Sequence, residues 1–101
     1  MKATEKLIGK KVIIRAYGAG VFYGTLNEVD GDSVELTDAR RLWYWDGAAS
    51  LSQLAAEGVK APENCKFTVA VDSIVINKVI EIIPATGEAQ KSIEAVKVWK
   101  L

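Results

Sequence analysis

Residues 38–58 read DARRLWYWDGAASLSQLAAEG, and this stretch decides the fold because a strand gives way to a helix within it. If residues 39–45 form a strand, successive side chains point to opposite faces of the sheet. The odd-numbered and even-numbered side chains then form two sets, Arg41, Trp43, Trp45 and Arg40, Leu42, Tyr44. Both sets contain aromatic rings, so such a strand can be covered on both sides, provided that buried indole and phenol groups find hydrogen-bond partners.

A short helix is predicted directly after the aromatic strand. Asp46 and Gly47 interrupt the alternation, and after Ser50 the apolar residues recur with helical spacing. Ser50 is a good N-cap, and Gly58 is a good C-terminal stop. The stretch therefore predicts a strand, a tight turn and a helix, in that order.

The remaining strands are predicted from β-branched and alternating runs. These runs cover residues 12–15, 21–29, 33–36, 67–71, 74–76 and 79–83, with a last extended piece at 96–99. Asp30-Gly31-Asp32 predicts a hairpin, and Thr37-Asp38 predicts a bend before the aromatic strand. Residues 79–83 are apolar except for Glu81, so we predict a central strand that is covered on both faces.

The order of these elements indicates the fold class. Thr86 fits the N-cap of a second helix that runs through about Ala95. We expect an α+β protein, either a small antiparallel β-sheet or a partly open barrel of five to six strands with two short helices. Its 101 residues predict a single domain over residues 1–101, with residues 1–6 frayed.

The composition limits the classes of partner that the protein is expected to bind. No apolar run reaches the roughly 20 residues that cross a bilayer, and Met1–Lys11 lacks the apolar core of a secretion signal. We therefore expect a cytoplasmic protein without membrane contact. Thirteen basic residues balance thirteen acidic ones, which argues against a duplex DNA binder and favours self-association.

The chain contains no histidine and a single cysteine, Cys65. This composition excludes Ser-His-acid and Cys-His nucleophilic catalysis as well as the usual zinc sites. No pair of acidic residues stands out as a general acid and base. We therefore expect a protein that is not an enzyme and that uses no metal or cofactor.

Two resemblances support and extend this interpretation. Residues 11–39 resemble the first three strands of an Sm-like or SH3-like small barrel, with a Gly-x-Leu at Gly24–Leu26 and an Asp-Gly hairpin. The second Sm signature is missing, and the aromatic strand and helix stand in its place. This resemblance implies a small barrel.

The second resemblance covers residues from about Lys11 to Trp99. The chain is similar to a family of small phage and prophage proteins of unknown function. The similarity lies in Arg15, Gly18-Ala19-Gly20-Val21, Gly24, Ala39-Arg40-Arg41-Leu42-Trp43-Tyr44-Trp45, Gly47-Ala48, Ser50-Leu51, Leu54-Ala55, Gly58 and Val79-Ile80-Glu81-Ile82-Ile83-Pro84. The resemblance implies a viral or prophage origin, but it does not indicate any activity. Phages carry both small oligomers that take up nucleotide signals of host immunity and small capsid or scaffold components.

A ligand site is predicted around the aromatic strand. Guanidinium groups bind phosphate in a fork, indole faces stack on bases, and a helix start built from small residues suits an anion. The predicted ligand-binding residues are Arg15, Tyr17, Arg40, Arg41, Trp43, Trp45, Gly47 and Ser50. The alternative is structural, with arginines covering aromatic rings, Arg15 in a surface salt bridge and Ser50 as an ordinary cap. Trp99 is assigned to packing.

These observations lead to one expected function and two alternatives. We expect a phage- or prophage-encoded, non-enzymatic module that forms homo-oligomers and sequesters a small nucleotide-type ligand, such as a host immune signal. The first alternative is a virion or assembly protein whose aromatic strand forms a subunit interface. The second is a small barrel that binds single-stranded RNA.

Overall fold

The computed structural model describes residues 3–101, so Met1 and Lys2 lie outside the described residues. The prediction that residues 1–6 are frayed falls partly on those two residues. Glu5–Leu7 form a single 3-10 turn, which the Leu7 amide closes by donating to the Thr4 carbonyl at 3.1 Å.

The structure confirms the predicted fold class. Its elements are β1 (Lys11–Ala16), β2 (Gly20–Asp30), β3 (Ser33–Tyr44), α1 (Leu51–Glu57), β4 (Lys66–Phe67), β5 (Val71–Ile76), β6 (Val79–Pro84) and α2 (Gly87–Ala95), with a second 3-10 turn at Pro62–Asn64. The strands form one six-stranded sheet in the order β4-β3-β2-β1-β6, and β5 pairs with β3. Every pairing between these strands is antiparallel. The sheet curls without closing, because β5 and β6 are not paired with each other.

Strand β3 organises the sheet. The predicted third strand and the aromatic strand are one continuous strand of 12 residues. It bends at Asp38, whose φ of 49° is unusual for a residue other than glycine. β3 pairs with β5 from Val34 to Ala39, across the bend, and then with β4 from Leu42 to Tyr44. β3 therefore pairs with β5 and β4 in succession along the edge opposite β2.

The predicted hairpin and the predicted helix ends are confirmed, whereas the tight turn expected at Asp46-Gly47 is a longer connection over residues 45–50. Asp30 pairs with Ser33 around Gly31, which has a φ of 61°, as the hairpin prediction requires. The Ser50 hydroxyl caps α1, and Gly58 ends it. The Thr86 hydroxyl caps α2 by accepting a hydrogen bond from the Ala89 amide.

Two strand predictions are wrong. Residues 67–71 do not form one strand, because β4 ends at Phe67 opposite Leu42 and β5 begins only at Val71 opposite Ala39. The strand at residues 79–83 is not central, because β6 lies at the end of the sheet and pairs only with β1 among the described strands. Ile80 is 57% exposed on this edge strand.

The sheet separates two hydrophobic cores. The helix-covered core lies between one face and the two helices, and it contains Ile13, Tyr23 and Phe67 together with Leu54 and Ile93 from the helices. The curled face of the sheet encloses the second core, whose largest members include Val12, Ile14, Phe22, Leu26 and Leu36. Both faces of the sheet are therefore buried along the centre of β1.

No helix within residues 3–101 is long and apolar enough to span a bilayer.

Candidate ligand-binding cleft on strand β3

A surface cleft lies where the β1–β2 turn meets the aromatic end of β3. It arises because Phe22 pairs with Arg41, which brings the residues just before Phe22 beside the residues just after Arg41. The cleft has a volume of about 430 Å³ and is lined by Ala19, Gly20, Val21, Arg41, Leu42, Trp43 and Trp45. Three of the eight predicted ligand-binding residues, Arg41, Trp43 and Trp45, thus lie together.

Arg41 is the positively charged group of this cleft. Its guanidinium lies 4.5 Å from the centre of the Phe22 ring, and Nη1 donates a hydrogen bond to the Ala19 carbonyl at 2.9 Å. A guanidinium has five N–H donors, so this single side-chain hydrogen bond leaves most of them available. None of the ion pairs among residues 3–101 involves Arg41. The stacking contact fixes the group without neutralising it.

The two tryptophans of the cleft differ in burial. Trp43 is 63% exposed and presents its indole to solvent. Trp45 follows the end of β3, is half-buried and packs against the helix-covered core. Trp43 is therefore the ring available for stacking, whereas Trp45 forms part of the wall.

Arg40 lies on the opposite face of β3. It is 8% exposed, and its guanidinium donates to the carbonyl oxygens of Thr68, Ile93 and Phe67 at 3.0, 3.0 and 3.1 Å. It also lies 5.5 Å from the centre of the Phe67 ring. Burial lowers the pKa of Arg40 from its usual value. Arg40 thus joins β3, the end of β4 and the end of α2, and it does not reach the cleft.

Arg15 and Tyr17 also lie outside the residues that line the cleft. The Arg15 Nε donates to the Glu81 carboxylate at 2.8 Å, across the pairing of β1 with β6. Tyr17 is 72% exposed in the β1–β2 turn, and its amide donates to the Lys78 carbonyl at 2.9 Å. These contacts link β1 and the turn after it to β6 and the β5–β6 turn.

The start of α1 satisfies its own hydrogen bonds. The Ser50 hydroxyl accepts from the Gln53 amide at 3.1 Å, and the Gln53 side-chain oxygen accepts from the Ala49 amide at 2.7 Å. The Gly47 carbonyl accepts from the Lys60 amide at 3.2 Å. The structure therefore places Gly47 and Ser50 in local packing and capping roles, apart from the cleft.

A second indole, Trp99, lies beside Trp43, although the sequence assigned Trp99 only to packing. The Trp43 and Trp99 rings are 6.5 Å apart at an angle of 80°, and Lys66 Nζ lies 5.5 Å from the centre of the Trp99 ring. The Trp99 amide donates to the Phe67 carbonyl at 2.9 Å, which holds the C-terminal segment beside β4. The available sequence signal was the apolar pair Val98-Trp99 between two lysines.

A polar cluster lies away from the cleft, between the sheet and α2. The Tyr23 hydroxyl donates to the Glu94 carboxylate, and Lys11 Nζ lies 3.2 Å from Asp38 and 3.8 Å from Glu94. Burial and the hydrogen bond to Glu94 raise the pKa of Tyr23. No group of three or more His, Cys, Asp or Glu residues within residues 3–101 is arranged to hold a metal ion. The cluster therefore serves to attach α2 to the sheet.

Comparison with solved structures shows the fold of this domain. The chain is similar to the crystal structure of a heptameric archaeal Sm protein, with a TM-score of 0.52 and 19% sequence identity. The similarity covers 81% of this chain and 94% of the Sm chain. The Sm-like likeness thus extends well beyond residues 11–39, where the sequence resemblance was confined.

Comparison of sequences places the chain in a family without assigning a function. No curated protein matches it. The predicted phage or prophage origin stays a prediction. A family model for a domain of unknown function, DUF6948, matches residues 9–93, so the chain belongs to the DUF6948 family.

Proposed function

We propose that this domain is a non-enzymatic module that binds a nucleotide-type ligand in the cleft between Arg41 and Trp43. The observation that carries the proposal is an exposed indole beside a guanidinium that is held in place but has no carboxylate partner among the described ion pairs. Burial of Arg40 assigns the neighbouring arginine to stability, so the charge available to a ligand comes from Arg41.

The chemistry of the cleft matches a base linked to a phosphate. A guanidinium binds phosphate oxygens through parallel hydrogen bonds, and any base can stack on an indole face. Stacking on Phe22 orients the Arg41 fork before a ligand arrives, which lowers the entropic cost of binding. The cleft volume of about 430 Å³ lies within the range of small-ligand sites.

The biological role that we propose is sequestration. A protein that binds a ligand without a catalytic group holds the ligand and lowers its free concentration. If the ligand is a nucleotide-derived signal of host immunity, this module suppresses the response that the signal triggers. The structure of the similar heptameric Sm protein has implications for the eukaryotic snRNP core, which is a ribonucleoprotein. This likeness favours single-stranded RNA as a second candidate ligand.

Isothermal titration with AMP, ADP-ribose and cyclic dinucleotides tests the proposal. We expect binding of at least one of these ligands, a loss of about tenfold or more for Arg41→Gln, and a similar loss for Trp43→Ala. Arg15→Gln is the matched control, because Arg15 is an exposed arginine paired with Glu81 outside the cleft. Equal losses for Arg15→Gln and Arg41→Gln, or no binding of any nucleotide, would contradict the proposal.

We also propose that the module forms homo-oligomers through its free strand edges. Among the described strands, β5 pairs only with β3 and β6 pairs only with β1, so each leaves one edge unpaired. Val75 on β5 is 63% exposed and Ile80 on β6 is 57% exposed. An unpaired edge bearing exposed apolar side chains is a template for pairing with another chain. The heptameric state of the Sm protein supports the same proposal.

Light scattering coupled to size exclusion measures this association. We expect a mass of several subunits for the native chain and a lower mass for Val75→Lys and Ile80→Lys. Val69→Lys is the control, because Val69 is 46% exposed but lies between β4 and β5, outside both strands. A monomeric native chain would contradict the proposal. If Trp43→Ala alone lowered the mass, Trp43 would belong to a subunit interface, as the structural-protein alternative requires.

A further inference from the structure

Trp99 and Lys66 extend the surface of the cleft to the far side of Trp43. The cleft lies toward β2, whereas β4 flanks β3 on the opposite side. Trp99 follows Val98, which forms a parallel bridge with Phe67 of β4. The order across the sheet is therefore the end of the β1–β2 turn, then Trp43, then Lys66, then Trp99.

Contacts between side chains join these groups into one surface. Phe67 pairs with Leu42 and is buried in the helix-covered core. Lys66 pairs with Tyr44 beyond a shift in register, and its Nζ lies 5.5 Å from the centre of the Trp99 ring. Arg41 lies against Phe22 in the second core, and Trp43 contacts Trp99 directly. Two indoles and two cationic groups consequently lie next to one another on the surface around Trp43.

We propose that the ligand spans two bases joined by a phosphodiester, with one base on Trp43 and the second on Trp99. This inference rests on the proposed function of the cleft. Trp99 is 44% exposed, so it offers a second platform beside the first. A single nucleotide in the cleft would leave this platform unused. The chemical class is a dinucleotide unit, either free or within a single strand.

The charges of this surface complement such a ligand. Arg41 lies on the cleft side of Trp43 and Lys66 lies on the Trp99 side, and neither belongs to an ion pair among residues 3–101. A linking phosphate between two bases carries one negative charge. The Lys66 ammonium covers Trp99 by a cation–π contact at 5.5 Å, and its flexible stem allows it to turn toward a phosphate.

The angle between the rings defines how the ligand is bound. Because the Trp43 and Trp99 planes are at 80°, bases stacked on the two rings cannot stack on each other. The dinucleotide is therefore bound with its bases splayed apart, each base on its own indole.

Titration with AMP, the linear dinucleotide pApA and an eight-nucleotide oligoadenylate tests the inference. We expect pApA to bind about tenfold or more tightly than AMP, since stacking of one additional base supplies such a gain. Trp99→Ala should reduce the affinity for pApA to the level of AMP and leave AMP binding unchanged. Lys66→Gln, which removes a charge from an exposed side chain without removing an indole, should weaken pApA and not AMP.

The outcomes separate this inference from the proposed function. If AMP binds and pApA binds no more tightly, the second platform is disproved and the cleft stands. Equal losses for both ligands with Trp99→Ala would also overturn it, because a general structural role of Trp99 predicts that result. If neither AMP nor pApA binds, the inference falls, and the proposed function falls as well when ADP-ribose and the cyclic dinucleotides also fail to bind. When pApA is favoured, equal affinities for pApA and the octamer identify a free dinucleotide, whereas tighter and salt-dependent binding of the octamer identifies a strand.

Discussion

Arg40 and Arg41 are adjacent in the chain, yet they have opposite roles on the two faces of β3. Arg40 is buried and donates three hydrogen bonds to backbone carbonyls, whereas Arg41 is exposed and donates one. The two faces differ because α2 and the chain after β4 cover one of them, while the other opens into the cleft. Identical side chains therefore contribute to stability on the covered face and to recognition on the open face.

The largest expected effect is the loss of stability in Arg40→Ala. This change leaves the buried carbonyls of Phe67, Thr68 and Ile93 without their donor, which should lower the free energy of unfolding by roughly 3 kcal/mol or more. Arg41→Ala should cost about 1 kcal/mol or less, since it removes one exposed hydrogen bond and a stacking contact. Urea denaturation measures both. Similar losses of stability for the two variants would contradict the proposed difference between the two faces of β3.

A smaller loss is expected for Gly47→Ala in the turn that leads from β3 to α1. Gly47 has a φ of 91°, and an added Cβ would meet the backbone of Lys60 and Ala61. Strain and the forced shift should together lower the free energy of unfolding by about 2–3 kcal/mol. Gly18→Ala is the control, because Gly18 has a φ of 79° but open space around its Cα. Thermal denaturation should show a clearly smaller change for the control, of about 1 kcal/mol.

The smallest expected effect is a pH dependence of stability that arises from Tyr23 on the helix-covered face. Tyr23 has a raised pKa in the folded state, chiefly through burial and then through its hydrogen bond to Glu94. Above the unfolded tyrosine pKa of about 10, the unfolded chain loses a proton that the folded chain keeps, so stability falls as pH rises. The loss attributable to Tyr23 should reach roughly 1.4 kcal/mol by pH 11.

Tyr23→Phe separates this contribution from that of other alkaline groups. Urea denaturation between pH 9 and pH 11 should give a steeper decline for the native chain than for the variant. Tyr44→Phe, at an exposed residue on the aromatic end of β3, should decline like the native chain. Parallel curves for the native chain and Tyr23→Phe would contradict the proposed coupling of Tyr23 to α2.

Local features of this chain were predictable from its sequence, because their partners are close in the chain. Ser50 and Gly58 set the ends of α1 through contacts within one turn, and Asp30 and Gly31 set the hairpin in the same way. The edge position of β6 was not predictable from its apolar residues. The composition shows that a strand is apolar. Which strands lie beside it depends on contacts between distant parts of the chain.

The same distinction between local and distant contacts explains which parts of the candidate site were predictable. Alternation along β3 placed Arg41 and Trp43 on one face, and the structure brings both to the cleft. The role of Arg40 depends on carbonyls that lie 27, 28 and 53 residues away, which no local pattern encodes. Contact of Trp99 with Trp43 likewise requires the C-terminal segment to lie beside β4.

The division of β1 between two cores limits how this domain can change during evolution. Val12 and Ile14 point into one core and Ile13 into the other. Insertion of one residue in the strand would exchange the two sets and disrupt both interiors together. Insertion of two residues would preserve the alternation. Sequence divergence that alters strand length should therefore proceed in steps of two, while the turns remain free to vary by single residues.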